Sequence, residues 1–136
     1  MTALAAALAL LSALGRPVAV GNAYHYRPGL FAEVAANRHM PLAWGRVDGF
    51  ASTPSPAYVD AAHPWVVVVR WPDRTTERLQ VVDYSNPRDL AAQRRKGLVV
   101  EVDAATASRH HFNAYTTPPG AGHARVLVLG YGRLTP

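Results

Sequence analysis

The sequence predicts an all-β barrel with one or two short helices inserted into it. After residue 23, stretches with the composition or alternation of strands outnumber helical stretches. The connections between these stretches are too short for repeated βαβ units, which excludes a parallel α/β sheet. The chain has 136 residues, the size of one domain, and is long enough to bury a core without disulfides or metal.

The composition excludes several classes of protein. Apolar residues make up 49% and charged residues 17%, with 10 glycines and 11 prolines. These values indicate a loop-rich globular domain rather than a disordered chain, a collagen or a coiled coil. The absence of cysteine excludes disulfides and thiol chemistry. The net charge of +5 comes from arginines that are dispersed except at Arg94, Arg95 and Lys96, so the sequence predicts no nucleic-acid partner.

An apolar segment opens the chain. Residues 2–15 read TALAAALALLSALG, which is shorter than the roughly 20 residues of a membrane-spanning helix but matches a signal-peptide core. Small residues follow at 19, 21 and 23, as a cleavage site requires, although no basic residue precedes the segment. Residues 1–23 are therefore either a signal peptide or an N-terminal apolar segment, and residues 24–136 form the domain. A signal peptide would make the protein secreted or envelope-facing, without stable membrane insertion after processing.

The first half of the domain contains two strand candidates and one helix. Residues 24–26 form a short β-like piece. Residues 30–38 form an amphipathic helix, because apolar residues recur at i, i+3 and i+4. Residues 45–52 form a strand that ends before the prolines at 54 and 56, since proline lacks a donor for the ladder.

The second half contains further strands and one helix. Residues 65–71 are mostly β-branched and aromatic, which predicts a strand buried on both faces. Residues 77–83 alternate apolar with polar positions, so they form its hairpin partner with one side exposed to water. Two more strands are predicted at 98–102 and 124–130, with a helix at 104–110 between them that Asp103 caps.

Four segments match one known family in their order and spacing. Gly21, Ala23, Tyr26 and Gly29 are similar to an opening Gly-x-Ala-x-x-Tyr strand, and Val81-Val82-Asp83 to a strand that ends in an acidic residue. Residues 99–107 are similar to an Ile-Asp-Leu-Ser segment with an alanine-rich helix, and residues 125–129 to a closing strand. Together, over residues 21–130, they resemble the RlpA-like double-psi β-barrels, whose relatives include expansins, barwin-type proteins and family 45 endoglucanases.

The resemblance implies a six-stranded double-psi β-barrel that binds a cell-wall polysaccharide such as peptidoglycan, with no cofactor. Its lytic transglycosylase members pair an aspartate with a histidine in an Ala-Ala-His-x-x-Leu-Pro segment. This chain has only the first part, Ala61-Ala62-His63-Pro64. In a second alignment residues 47–52 take the place of the second barrel strand, and His63 then lies in a loop without a family counterpart. Both alignments stay open.

Asp83 is the leading candidate for chemistry. It ends an apolar strand where the chain breaks, so its carboxylate should lie at the barrel rim and face a groove. Partial desolvation there would favour the protonated form, which could protonate a glycosidic oxygen. The alternative is that Asp83 accepts hydrogen bonds from loop amides and shapes the turn.

The reaction determines how many partners Asp83 needs. Hydrolysis by water usually requires a second carboxylate. Lytic cleavage uses the sugar's own hydroxymethyl oxygen, so one acid/base residue suffices and His63 would assist it. The chain offers four carboxylates as partners, none of them placed by spacing: Asp48, Asp60, Asp89 and Glu101.

Aromatic side chains are candidates for sugar contacts, because pyranose faces stack on flat rings. Tyr26 and Tyr84 lie at strand ends, and Trp71 with its neighbour Arg70 offers a further contact. Trp71 equally fits the core, since it shares a strand face with Trp65. Residues 110 and 111 are adjacent histidines that diverge by about 100° on a helix, so no metal site is predicted.

Three functions remain. The first is binding of a wall polysaccharide, and the second is a lytic transglycosylase or glycanase that uses Asp83 as general acid/base. The third is a non-catalytic structural or assembly module. An open groove beside Asp83 would favour the first two, whereas a groove filled by the chain's own side chains would favour the third.

Overall fold

A computed structural model describes residues 16–135. The described residues form six strands and three short α-helices, so the prediction of a barrel-forming β protein with short helices is confirmed, with one helix more than expected. The strands are β1 Ala19–His25, β2 Gly49–Thr53, β3 Trp65–Arg70, β4 Thr76–Tyr84, β5 Leu98–Val102 and β6 His123–Arg133. The helices are α1 Leu30–Asn37, α2 Leu90–Arg95 and α3 Ala104–Arg109, with single 3₁₀ turns at Pro56–Tyr58 and Pro87–Asp89.

The strands close into one barrel in the order β1-β5-β2-β4-β3-β6. The pairs β1–β5 and β2–β4 are parallel, and the other four pairs are antiparallel. If β1 is exchanged with β4, β2 with β5 and β3 with β6, every parallel pair is replaced by a parallel pair and every antiparallel pair by an antiparallel pair. The two halves of the chain therefore share one pairing pattern, and in each half a helix connects the first strand to the second.

Branched aliphatic side chains fill the barrel. Val67 and Val69 of β3 are fully buried in the main core. On the other side of the same strand, Val66 and Val68 pack with Leu129 in a separate cluster. The predicted burial of β3 on both faces is thus confirmed.

The polar side of β4 is less exposed than predicted. Gln80 is fully buried. Its Nε2 donates to the carbonyl of Pro41 at 2.9 Å, and its Oε1 accepts from the amide of Ala43 at 2.8 Å. Both ends of this buried amide are satisfied, so Gln80 fastens the loop after α1 to the barrel.

Asp103 caps α3 as predicted. Its Oδ2 accepts from the amide of Thr106, and its Oδ1 accepts from the Thr106 hydroxyl and the Phe50 amide. Gly49 leaves the space for this contact, because a Cβ there would lie 2.2 Å from Thr106 Oγ1 and 2.7 Å from Asp103 Oδ1. The cap therefore also ties α3 to the start of β2.

The first strand begins earlier than the domain boundary expected at residue 24. β1 pairs with β5 on one side and β6 on the other, and Ala23 within it is fully buried. Residues 19–23 therefore belong to the barrel. The signal peptide was expected over residues 1–23, and the first fifteen of these lie outside the described residues. No helix from residue 16 to residue 135 has the length and hydropathy to cross a membrane.

Candidate functional site

Strand pairing brings two carboxylates to one end of the barrel. Ser52 of β2 pairs with Glu101 of β5 on one side and with Asp83 of β4 on the other. Because neighbouring strands lie about 4.8 Å apart, the Cα atoms of Asp83 and Glu101 are separated by about 10 Å. Two residues far apart in sequence thus become candidates for one site.

A cleft of about 590 Å³ opens over these residues, here named the Asp83 cleft. The ends of β1 and β4, the loop after β4, α2 and β5 form its walls. Most of the side chains that line it are polar or aromatic, and they include Tyr26, Asp83, Tyr84, Asp89, Lys96 and Glu101.

Side chains hold the carboxylate of Asp83 from two directions. Arg38 Nη2 donates to its Oδ1 at 2.7 Å, and the Tyr26 hydroxyl donates to its Oδ2 at 3.3 Å. Within residues 16–135 no main-chain amide donates to it. The turn after β4 is held instead by Asn86, whose side chain accepts from the amide of Arg88. Asp83, with its side chain 17% exposed, is thus oriented at the edge of the cleft rather than used to shape the turn.

The environment of Glu101 favours a charged carboxylate less than that of Asp83 does. Burial raises its pKa from 4.5 to about 6; Lys96 opposes this increase, while Asp83 and Asp89 add to it. Burial also raises the pKa of the Tyr26 hydroxyl above its ordinary value. The cleft therefore holds one carboxyl group that keeps its proton into the near-neutral range, beside a second carboxylate that forms an ion pair.

The two tyrosines are partly covered by the protein itself. Tyr26 stacks on Phe31 with ring centroids 4.6 Å apart. The guanidinium of Arg38 lies 5.0 Å from the centroid of the Tyr84 ring. Both tyrosines nevertheless line the cleft, and the Tyr26 hydroxyl is already engaged by Asp83.

His63 does not join Asp83. Its amide donates to Asp60 Oδ1, and its carbonyl accepts from Arg133. It lines a different cleft of about 720 Å³, beside Arg46. The loop that carries His63 is held against the end of β6, where Arg133 also pairs with Asp60 at 2.9 Å. The partnership expected from the Ala-Ala-His segment is therefore absent from the described contacts.

Arg70 and Trp71 lie far from the Asp83 cleft. Since β3 and β4 are antiparallel, Arg70 at the end of β3 pairs with Thr76 at the start of β4. Trp71 is 2% exposed and stacks on His110 with ring centroids 3.9 Å apart. Arg70 and Trp71, predicted to contact the same ligand as Asp83, therefore do not line the Asp83 cleft, and Trp71 belongs to the core.

Two residues of the site had no signal in the sequence analysis. Arg38 reaches Asp83 only because α1 packs its Phe31 and Ala35 against Val82 of β4. Lys96 lines the cleft because α2 ends beside it. Glu101 had a weak signal, since it is a charged residue inside an otherwise apolar strand.

The described residues do not gather three or more His, Asp or Glu side chains in a way that could hold a metal ion. His110 contacts Glu77 at 2.5 Å, and the following His111 has a left-handed φ of 64°. These adjacent histidines therefore do not converge.

Comparisons of the chain with protein-family models, with curated proteins and with solved structures found no match.

Proposed function

We propose that this chain is an RlpA-like double-psi β-barrel that binds a wall polysaccharide such as peptidoglycan in the Asp83 cleft. The closed six-stranded barrel, its two parallel strand pairs and the equivalent pairing of its halves support the double-psi topology. A protein with this role is secreted or faces the cell envelope.

The observation that carries this proposal is the chemistry gathered in one open cleft. Its volume falls in the range of ligand sites, about 300 to 1,000 Å³. The carboxylates of Asp83 and Glu101 are acceptors for sugar hydroxyls, and Asn86 and Gln93 add amide donors. Tyr26 and Tyr84 supply ring faces with polar tips.

A second candidate function, cleavage of the bound glycan, is favoured by the pairing of Glu101 with Asp83. With a pKa of about 6, Glu101 retains a proton that it can donate to the glycosidic oxygen. Asp83 would then accept the proton of the attacking hydroxyl, from water in hydrolysis or from the sugar's own hydroxymethyl group in lytic cleavage. Two carboxyl groups about 6.5–9.5 Å apart leave room for a water in inverting glycosidases, and strand spacing is compatible with that separation.

The third candidate, a structural or assembly module without a ligand, is less well supported. The chain's own described side chains leave the Asp83 cleft open. Burial disfavours the charge of Glu101, and such unfavourable carboxyl groups are typical of functional sites. A module without a ligand does not account for this carboxyl group.

Incubation of the full-length chain with purified peptidoglycan tests these functions. The pellet is assayed for bound protein, and the supernatant for anhydro-sugars and new reducing ends. Asp83→Asn and Glu101→Gln are compared with Glu33→Gln, a change at an exposed position on α1.

Three results are distinguishable. Binding without product, weakened by about 1–3 kcal/mol in Asp83→Asn, supports a binding module. Release of product that falls by about 10²- to 10⁴-fold in either cleft variant, with binding retained, supports the enzyme. Absence of both binding and product from the folded wild-type chain contradicts both proposals.

A further inference from the structure

A second cleft gathers three arginines at the other end of the barrel. Its volume is about 440 Å³, and it is lined by Arg70, Arg74 and Arg125 together with Trp71, Val126 and Leu127. Arg70 pairs with Thr76, which lies about 23 Å of strand from Asp83 along β4. This arginine cleft is therefore separate from the Asp83 cleft.

Strand register and turn geometry bring the three arginines together. Arg70 pairs with Leu127 of β6, and Arg125 lies two residues before Leu127. Arg70 and Arg125 are therefore diagonal neighbours on one face of the sheet, about 7–8 Å apart. Arg74 lies in the β3–β4 turn, where its left-handed backbone (φ 70°) and the hydrogen bond from its amide to the carbonyl of Trp71 fix its position.

None of these three arginines has a carboxylate partner among the described residues. Four arginines elsewhere on the barrel form ion pairs, namely Arg27, Arg38, Arg109 and Arg133. Two N–H groups at the arginine cleft, Arg70 Nε and Trp71 Nε1, are buried without an acceptor within residues 16–135. Buried donors without acceptors are unfavourable and rare, so this end of the barrel carries hydrogen-bonding capacity that the described chain does not satisfy.

The charges at the cleft indicate the kind of anion. Asp73 is the carboxylate within the same turn, and its Oδ1 already accepts from the amide and the hydroxyl of Thr75. Three guanidinium groups and one carboxylate leave a local excess of two positive charges, which a dianion would neutralise. Three guanidinium groups carried by two strands and a turn also match the oxygens of a tetrahedral anion better than the planar pair of a carboxylate.

We propose that the arginine cleft binds a phosphate or sulfate group that is esterified to a small organic molecule. The anion contacts the three arginines, and the organic part lies on Pro72 and Leu127, the apolar lining residues that are not buried. The volume supports an ester rather than a free ion, because cavities of this size hold small-molecule ligands. This site is independent of polysaccharide binding in the Asp83 cleft.

Calorimetric titration of the full-length chain tests the proposal, with inorganic phosphate, sulfate, glycerol 3-phosphate and acetate as probes at constant ionic strength. We expect phosphate and sulfate to bind more tightly than acetate, and glycerol 3-phosphate more tightly than inorganic phosphate. Equal affinity for acetate would overturn the assignment of a dianion. Equal or weaker affinity for glycerol 3-phosphate would overturn the assignment of an ester.

Variants locate the binding. Arg70→Gln and Arg125→Gln should each weaken the affinity for glycerol 3-phosphate at least tenfold, roughly the loss of one charge-assisted hydrogen bond. Arg94→Gln removes the same charge from an exposed position on α2 and should change the affinity less than about twofold. An equal loss in all three variants would show that the anion responds to net charge alone and would overturn the site. Arg125 is exposed, so its variant tests the proposal even if Arg70→Gln does not fold.

Discussion

Replacing Glu101 with glutamine should stabilise the protein at neutral pH. Burial raises the pKa of this carboxyl group from 4.5 to about 6, so the folded chain releases the proton less readily than the unfolded chain. The contribution of Glu101 to the free energy of unfolding is therefore highest below pH 4.5, where Glu101 is protonated in both states. It falls as the pH rises from 4.5 to about 6 and stays low above that range. The pKa difference is equivalent to about 2 kcal/mol, which glutamine would recover because it keeps the shape without the charge.

Chemical denaturation of wild type and Glu101→Gln between pH 4 and pH 8 measures this effect. The variant should be more stable by up to about 2 kcal/mol at pH 7.5, a rise in Tm of roughly 8 °C for a domain of this size. The two proteins should converge near pH 4. Glu33→Gln serves as the control: its side chain is 57% exposed in a surface pair with Arg27, so its effect should stay within about 0.5 kcal/mol at every pH.

Two results would refute this reasoning. A variant less stable than wild type at pH 7.5 would show that Lys96 compensates the buried charge fully. A stability difference that does not change with pH would show that packing rather than ionisation is responsible. The expected result would instead identify a carboxyl group kept at a cost to stability, which is typical of functional sites.

Three further predictions concern the fold. Val67→Asp should leave the chain unfolded or insoluble, because an unpaired buried carboxylate costs several kcal/mol, comparable with the stability of a whole domain; near-native melting would contradict it. Gly49→Ala should lower Tm by several degrees, since its Cβ would overlap Thr106. An unchanged Tm would mean that Asp103 and Thr106 can shift without loss of stability. A chain of residues 16–136 should melt cooperatively, whereas one of residues 24–136 should not, because it lacks most of β1; circular dichroism distinguishes them.

The elements that the sequence predicts best are those with strong local patterns. The strand predicted at 98–102 matches β5 at both ends, and the strand predicted at 65–71 matches β3 within one residue. The Asp103 cap is formed as expected. Each of these features depends on residues that are neighbours in the chain, so no knowledge of the tertiary structure is needed.

Elements without an apolar pattern were missed or misplaced. The helix α2 has six residues and none of them is buried, so it has no periodic apolar face to detect. β2 begins at Gly49 rather than residue 45, because Trp44 and Val47 form an isolated bridge around a turn. The early start of β1 was hidden by small residues that also fit a cleavage site.

The candidate site depends on pairing that local patterns do not contain. Asp83 could be singled out because it lies near the end of its strand, but no spacing selects Glu101 over Asp48 or Asp60. The barrel makes that choice: β2 lies between β4 and β5, and this order brings Glu101 to the carboxylate of Asp83. Asp48 instead accepts from the amide of Arg78, and Asp60 holds Arg133. The same closure places Arg70 at the opposite end of β4, so the barrel that assembles one cleft also separates it from the other.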